Sequence, residues 1–187
     1  MKNLAHIIVL IFFSMRGLIL TAYLPITTEA DQRMDSTLSV MANTQSILDF
    51  QIGWRHTCLL TGSGGVKCWG WNEYGQLGNG TTSPSFTPVD VSGLTSGVEA
   101  IYVGHFSTCA ILQSGVVKCW GRNDAGQLGN NTTINSSVPV TATVIGDGVK
   151  SLGVGLVHTC VLLENGRVRC WGNNWSGQSG NGLSEGI

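Results

Sequence analysis

The chain has 187 residues, 42% of them hydrophobic and only 11% charged, with 26 glycines and a formal net charge of −1 at pH 7. That profile belongs to a globular β-rich chain and excludes a disordered one. Near-neutrality also excludes the basic footprint that phosphate binding requires, so no nucleic-acid partner is expected.

The N-terminus has its own composition. Lys2 precedes an apolar run from Leu4 to Phe13; Ser14, Met15, Arg16 and Gly17 interrupt it, and a second run extends from Leu18 to Leu24. With Thr28 and Ala30 as small residues beyond, residues 1–30 read as a secretory signal peptide. The first run is shorter than the roughly 20 residues a bilayer span needs. Arg16 leaves open a retained membrane anchor, a start at Met15, or a buried core helix. Residues 31–46 read as a linker. The six cysteines, an even number, fit an exported chain in which they pair as disulfides, so the expected location is secreted or cell surface.

From Ile47 onward one unit is written three times at a step of 51 residues. Gly53, Thr57, Cys58, Gly64, Val66, Cys68, Trp69, Gly70, Asn72, Gly75, Gln76, Gly78 and Asn79 each recur in all three copies. A period of this size marks supersecondary units that bury their apolar faces only by stacking on one another. The units expected are 47–97, 98–148 and an incomplete 149–187.

Each unit divides into short strands. The first is Ile47–Ile52, with copies at Val98–Val103 and Val149–Val154; the second holds Thr57 to Leu60 and the third Val66 to Trp69. A three-residue hairpin loop ending at Gly64, Gly115 or Gly166 joins the second strand to the third, because its last position is left-handed and favours glycine. If Thr61 and Gly65 flank that loop, Leu60 faces Val66, Leu59 faces Lys67 and Cys58 faces Cys68. Opposed cysteines on antiparallel strands lie near disulfide range, which pairs Cys58 with Cys68, Cys109 with Cys119, and Cys160 with Cys170. Free buried thiols and zinc are the competing readings. Zinc draws on His56 and His158, each two residues before a cysteine, but Ser107 stands there in the middle copy and no unit supplies a tetrahedral set. No metal or other cofactor is therefore expected.

Beyond the third strand, Gly70 to Thr81 and Gly121 to Thr132 read as a structured turn in which Asn72 and Gln76 bond the backbone internally. The stretch lacks the lysine and helix start of a phosphate loop. A fourth segment, Thr87 to Val91 with its copy Val138 to Ala142, carries a proline and so reads as the outer, edge strand.

The strings His56-Thr57-Cys58-Leu59-Leu60, Val66-Lys67-Cys68-Trp69-Gly70 and Asn72-Glu73-Tyr74-Gly75-Gln76-Leu77-Gly78-Asn79-Gly80-Thr81 resemble the regulator of chromosome condensation repeat, especially its cysteine-bearing bacterial and secreted versions. The resemblance covers the chain from about Ile47 to the C-terminus. It implies an all-β fold of β-propeller blades, two to three of them here, as part of a seven-bladed ring. A propeller closes with about four to eight blades, whereas 47–187 is shorter than three repeats and Ser179 replaces the leucine of Leu77 and Leu128. An incomplete propeller, or a complete chain that closes by homo-oligomerisation, follows. Guanine-nucleotide exchange is known for the family's nuclear namesake, but no exchange residue can be carried onto these positions.

For function, the recurring residues are accounted for by folding, which leaves the positions that differ between copies. Trp54-Arg55, His105-Phe106 and Leu156-Val157 share one such spot; Trp71, Arg122 and Asn173 a second; Glu73-Tyr74, Asp124-Ala125 and Trp175-Ser176 a third. Aromatic residues and arginine are enriched at binding hot spots. The candidate contact residues are Trp54, Arg55, Trp71, Tyr74, His105, Phe106, Arg122 and Trp175, with packing between blades the alternative role for Trp54 and Trp71. Trp69, Trp120 and Trp171 are assigned to the core. No catalytic residue is nominated, and His56 and His158 are expected to bond a neighbouring turn. Sequons begin at Asn79, Asn130, Asn131, Asn135 and Asn174. The reading that results is an extracellular module binding a protein or glycan partner, meeting a membrane only through an uncleaved N-terminal segment. An enzyme with a site on the propeller axis, and a truncation product without function, are the alternatives.

Overall fold

The computed structural model describes residues 46–146 and 148–184. The signal peptide or anchor and all of the linker but Ser46 lie outside the described residues. Among the described residues the structure is all β, in three antiparallel sheets. The first comprises β1 (Ile47–Ile52), β2 (His56–Thr61), β3 (Val66–Gly70) and β4 (Ser85–Asp90), in that order across the sheet. The second repeats it with β5 (Val98–Val103), β6 (Ser107–Leu112), β7 (Val117–Gly121) and β8 (Ser136–Thr141). The third holds β9 (Val149–Val154), β10 (His158–Leu163) and β11 (Val168–Gly172).

The register matches the one the hairpin loop dictates. Leu60 faces Val66, Leu59 faces Lys67 and Cys58 faces Cys68, and the other two units repeat the pattern. The loop closes with the Thr61 N–H on the Gly65 carbonyl at 2.8 Å, and Gly64 has φ +77°, the left-handed value that glycine tolerates. All three cysteine pairs are disulfides, with Cα atoms 4.1, 4.0 and 4.0 Å apart. Each sulfur is thereby consumed, which removes the zinc and free-thiol readings.

The proline-bearing strand occupies the outer position, as an edge strand should. It begins at Ser85, two residues before the expected start, and ends at Asp90. Val91 turns away from β4; its N–H bonds the Val66 carbonyl and its side chain enters the core.

Successive sheets stack face to face along two equivalent seams. In the first seam Cys58, Leu60, Val66, Cys68, Leu77, Val91 and Leu94 meet Val98, Ile101, Ala110 and Trp120 of the next unit. In the second, Cys109, Ile111, Val117, Cys119, Leu128, Ala142 and Ile145 meet Leu152, Val161 and Trp171 in the same arrangement. Burial follows from having a neighbour: Val66 is 1% exposed inside a seam, while Val168, its copy on the outward face of the third sheet, is 64% exposed.

A hydrogen-bonded lock joins each unit to the one before it. The Trp120 indole N–H donates to the Gln76 carbonyl at 2.9 Å, and the Thr108 hydroxyl donates to the same oxygen at 3.2 Å. Trp171 and Thr159 treat the Gln127 carbonyl identically, both at 2.9 Å. Trp120 is fully buried and Trp171 nearly so; Trp69, in the first unit, is half-buried. Gly78 cannot carry a side chain here, because a Cβ would fall 2.7 Å from the Trp120 indole nitrogen.

Candidate functional site

The turns sort into two ends. The β1–β2 turn at 53–55 and the long loop leaving β3 at Gly70 lie at one end of the first sheet; the β2–β3 hairpin loop and the β4–β5 connection lie at the other. All three groups of copy-variable residues therefore share a single end.

Recurring residues hold the long loop rigid. The Asn72 amide donates to the carbonyls of Thr81 and Ser83, both at 2.9 Å, and its oxygen accepts from the Leu77 N–H at 2.8 Å. The Gln76 side-chain oxygen accepts from the Tyr74 N–H at 3.0 Å. Asn123 and Gln127 repeat these bonds in the second unit. An amide placed to satisfy three backbone groups of one turn fixes the residue between them, here Glu73 and Tyr74.

On that platform the first seam ends in a cluster of rings. Phe106 lies 5.2 Å from Trp54, 5.5 Å from Trp71 and 5.4 Å from Tyr74 between centroids, and Trp71 meets Tyr74 edge-on at 5.4 Å. These separations are those of favourable aromatic pairs. Arg55 stacks on Trp54 at 4.3 Å, and Arg122 reaches over Tyr74 at 5.3 Å and Phe106 at 5.6 Å. His105 adjoins Phe106 at 6.3 Å. Trp54 remains 57% exposed even within the cluster.

Arg122 also belongs to the second seam. Its guanidinium pairs with Asp124 at 2.5 Å, and both line a hollow of about 380 Å³ together with Ala125, Val157, Asn173 and Trp175. Burial would raise the Asp124 carboxyl, but hydrogen bonds from Arg122 and Gln127 and the charge of Arg122 outweigh it and hold the group below its ordinary value. Trp175 is 77% exposed. The structure thus brings Trp54, Arg55, Trp71, Tyr74, His105, Phe106 and Arg122 into one cluster and sets Trp175 in the hollow beside it.

His56 opens β2, and its ring has a different partner from the turn expected for it. Its Nε2 bonds the Thr108 hydroxyl at 2.9 Å, on a strand of the next unit instead of a turn. That hydroxyl also lies within donating distance of the Gln76 carbonyl, and Nδ1 is buried with no hydrogen-bond partner among the described residues. Burial pushes the imidazole down to about 4, so it is neutral at pH 7. Ser107, its counterpart in the second unit, is buried, and its hydroxyl has no hydrogen-bond partner among the described residues.

The sequons divide by burial. Asn174 is fully buried in its turn, Asn79 and Asn130 are half-buried with their oxygens accepting from Thr81 and Thr132, and Asn131 and Asn135 are exposed.

Two family models named for the regulator of chromosome condensation (RCC1) repeat match the chain, one over 63–111 and 114–162, the other over 47–76, 98–127 and 149–178. Among similar proteins, the ultraviolet-B receptor UVR8 of Arabidopsis thaliana is 33% identical over 160 residues, covering 84% of this chain and 36% of the receptor. The human E3 ubiquitin-protein ligase HERC2 is 33% identical over 130 residues, 68% of this chain and 3% of the ligase. Yeast RCC1 (Prp20), solved bound to Kap60, superposes with a TM-score of 0.65 at 19% identity, over 78% of this chain and 34% of that one. Human WBSCR16 gives 0.62 at 25% identity, over 68% and 33%. The chain spans only about a third of the length of the Arabidopsis receptor and of these two solved chains. With its repeats matched from residue 47 to residue 178, and with stacked four-stranded units like those of the RCC1 propellers, this chain belongs to the regulator of chromosome condensation repeat family.

Proposed function

We propose that the chain is an extracellular binding module that presents the end carrying the 53–55 turn and the 71–84 loop to a protein partner. One observation carries the reading: the positions at which the three copies differ converge on that end, and they are filled there by Trp54, Arg55, Trp71, Tyr74, Phe106 and Arg122. Large rigid rings and guanidinium groups supply contact area at low entropic cost, which is why they dominate interface energetics. Three disulfides support an oxidising compartment.

Binding is favoured over catalysis by the state of the ionisable groups near this end. Asp124 is tied to Arg122, and His56 is sealed inside the first seam with its Nε2 bonded to Thr108. The test is selection from a displayed random-peptide library on the folded, oxidised protein. Trp54→Ala with Arg55→Ala should remove most recovered binders, while Gln113→Ala at the opposite end should keep them. Equal recovery on both variants would refute the reading.

A further inference from the structure

The two seams share the arrangement of their cores but not their mouths, and the difference names what the second one lacks. At a step of 51 residues, Tyr74 becomes Ala125, Phe106 becomes Val157, and Trp71 becomes Arg122. The backbone around these residues is unchanged. Trp71 N–H bonds the Arg55 carbonyl at 2.8 Å, Arg122 the Phe106 carbonyl at 2.9 Å and Asn173 the Val157 carbonyl at 2.8 Å. The Ala125 N–H meets the Gln127 side chain at 2.9 Å just as Tyr74 meets Gln76 at 3.0 Å. The hollow of about 380 Å³ at the second seam is therefore the space that two aromatic rings occupy in the first.

Its lining suits a ring supplied from outside. The exposed Trp175 and the apolar Ala125 and Val157 line it, together with Arg122, whose guanidinium is already over the rings of Tyr74 and Phe106. Its polar lining holds both a donor and an acceptor. Asn173 accepts through its oxygen from the Trp175 N–H at 3.0 Å and the Gln178 amide at 3.1 Å, which leaves its own NH₂ as a donor without a partner among the described residues. Asp124, which lines the same hollow, supplies an acceptor. An aromatic ring with one group that both donates and accepts at its edge satisfies this set.

We infer that the hollow between the second and third units receives a tyrosine side chain of the protein partner, seated against Trp175 with its hydroxyl between Asp124 and Asn173. The inference rests on the binding role proposed for this end. It also makes the first seam's own rings the internal counterpart of the ligand.

The experiment titrates N-acetyltyrosinamide into the folded protein while the Trp175 indole N–H is followed by NMR. A single side chain should bind with a Kd on the order of 1–10 mM, the phenylalanine analogue several-fold more weakly and the leucine analogue about tenfold more weakly. Filling the hollow with Ala125→Tyr and Val157→Phe, residues the first seam already accommodates, should abolish the shift. Trp175→Ala, at an exposed position that leaves the fold intact, should weaken binding at least several-fold, followed through the Ala125 methyl. Equal shifts from the leucine analogue, no shift from the tyrosine analogue, or undiminished binding by the filled variant would each overturn the inference. If library peptides still require Trp54 while ignoring the filled hollow, the binding end stands and the tyrosine site alone falls.

Discussion

The first seam and the second are built on the same apolar plan at their cores and from chemically different residues at their mouths. Both bury a disulfide, a tryptophan and a leucine from the turn after the third strand, and both are pinned by an indole N–H and a threonine hydroxyl on one glutamine carbonyl. Yet the first ends in a closed cluster of rings and the second in an open hollow. Strictly recurring residues lock the units together, core positions such as Val91 and Ala142 or Ala110 and Val161 exchange one apolar residue for another, and the positions that change chemical class write the surface. A repeat protein can change what it presents without changing what holds it, because the loop backbone is fixed by Asn72, Gln76 and their copies and not by the side chains it displays.

The largest effect separating these roles should come from the lock. Trp120→Ala removes a fully buried indole and its bond to Gln76, and is expected to cost about 3–5 kcal/mol in urea unfolding. Trp69→Ala should cost clearly less, since Trp69 is half-buried. Equal losses would mean that the seam does not confer the stability.

The seams also differ in their response to acid. His56 ionises near 4 in the folded chain and near 6.5 when unfolded, so the unfolded state takes up its proton first. Stability from this residue is complete above pH 6.5, falls as pH drops toward 4 and is level below that, a loss of about 3 kcal/mol. His56→Ser, which copies the second seam's Ser107, should flatten that part of the pH profile. A slope unchanged in the variant would assign it to other groups.

Next in size is the disulfide of the middle unit. Cys109→Ser with Cys119→Ser opens a loop of about ten residues and should cost about 2–3 kcal/mol, read from the same urea midpoints. Smallest is Trp54→Ala, expected to move the midpoint by no more than about 0.5 kcal/mol while removing library binding. A large destabilisation would make Trp54 a packing residue.

The hairpins, their register and the three disulfides were legible in the sequence because each is decided within about fifteen residues and repeated three times. The roles of Asn72 and Gln76 inside their turn were legible for the same reason. The lock was not: its acceptor is the Gln76 backbone carbonyl, which leaves no mark on residue type, and its donor Trp120 lies 44 residues away. The strand position of His56 was legible but the partner of its ring was not, because Thr108 is 52 residues distant on the next unit. The copy-variable residues could be grouped by alignment, but alignment sets Tyr74 beside Ala125 and never beside Phe106, the ring it touches. The hollow becomes visible only when the two seams are laid over each other in space. Val91 shows a smaller version of the same limit, reading as the end of a strand when its side chain belongs to the core.

The claim that the varying positions form the binding surface is tested most directly by hydrogen exchange on the protein with and without a library-selected peptide. Protection should appear at 53–55, 71–76, 104–106, 122–127 and 173–176 and be absent from 62–65, 91–97 and 113–116. Protection confined to the second set of segments would contradict the account.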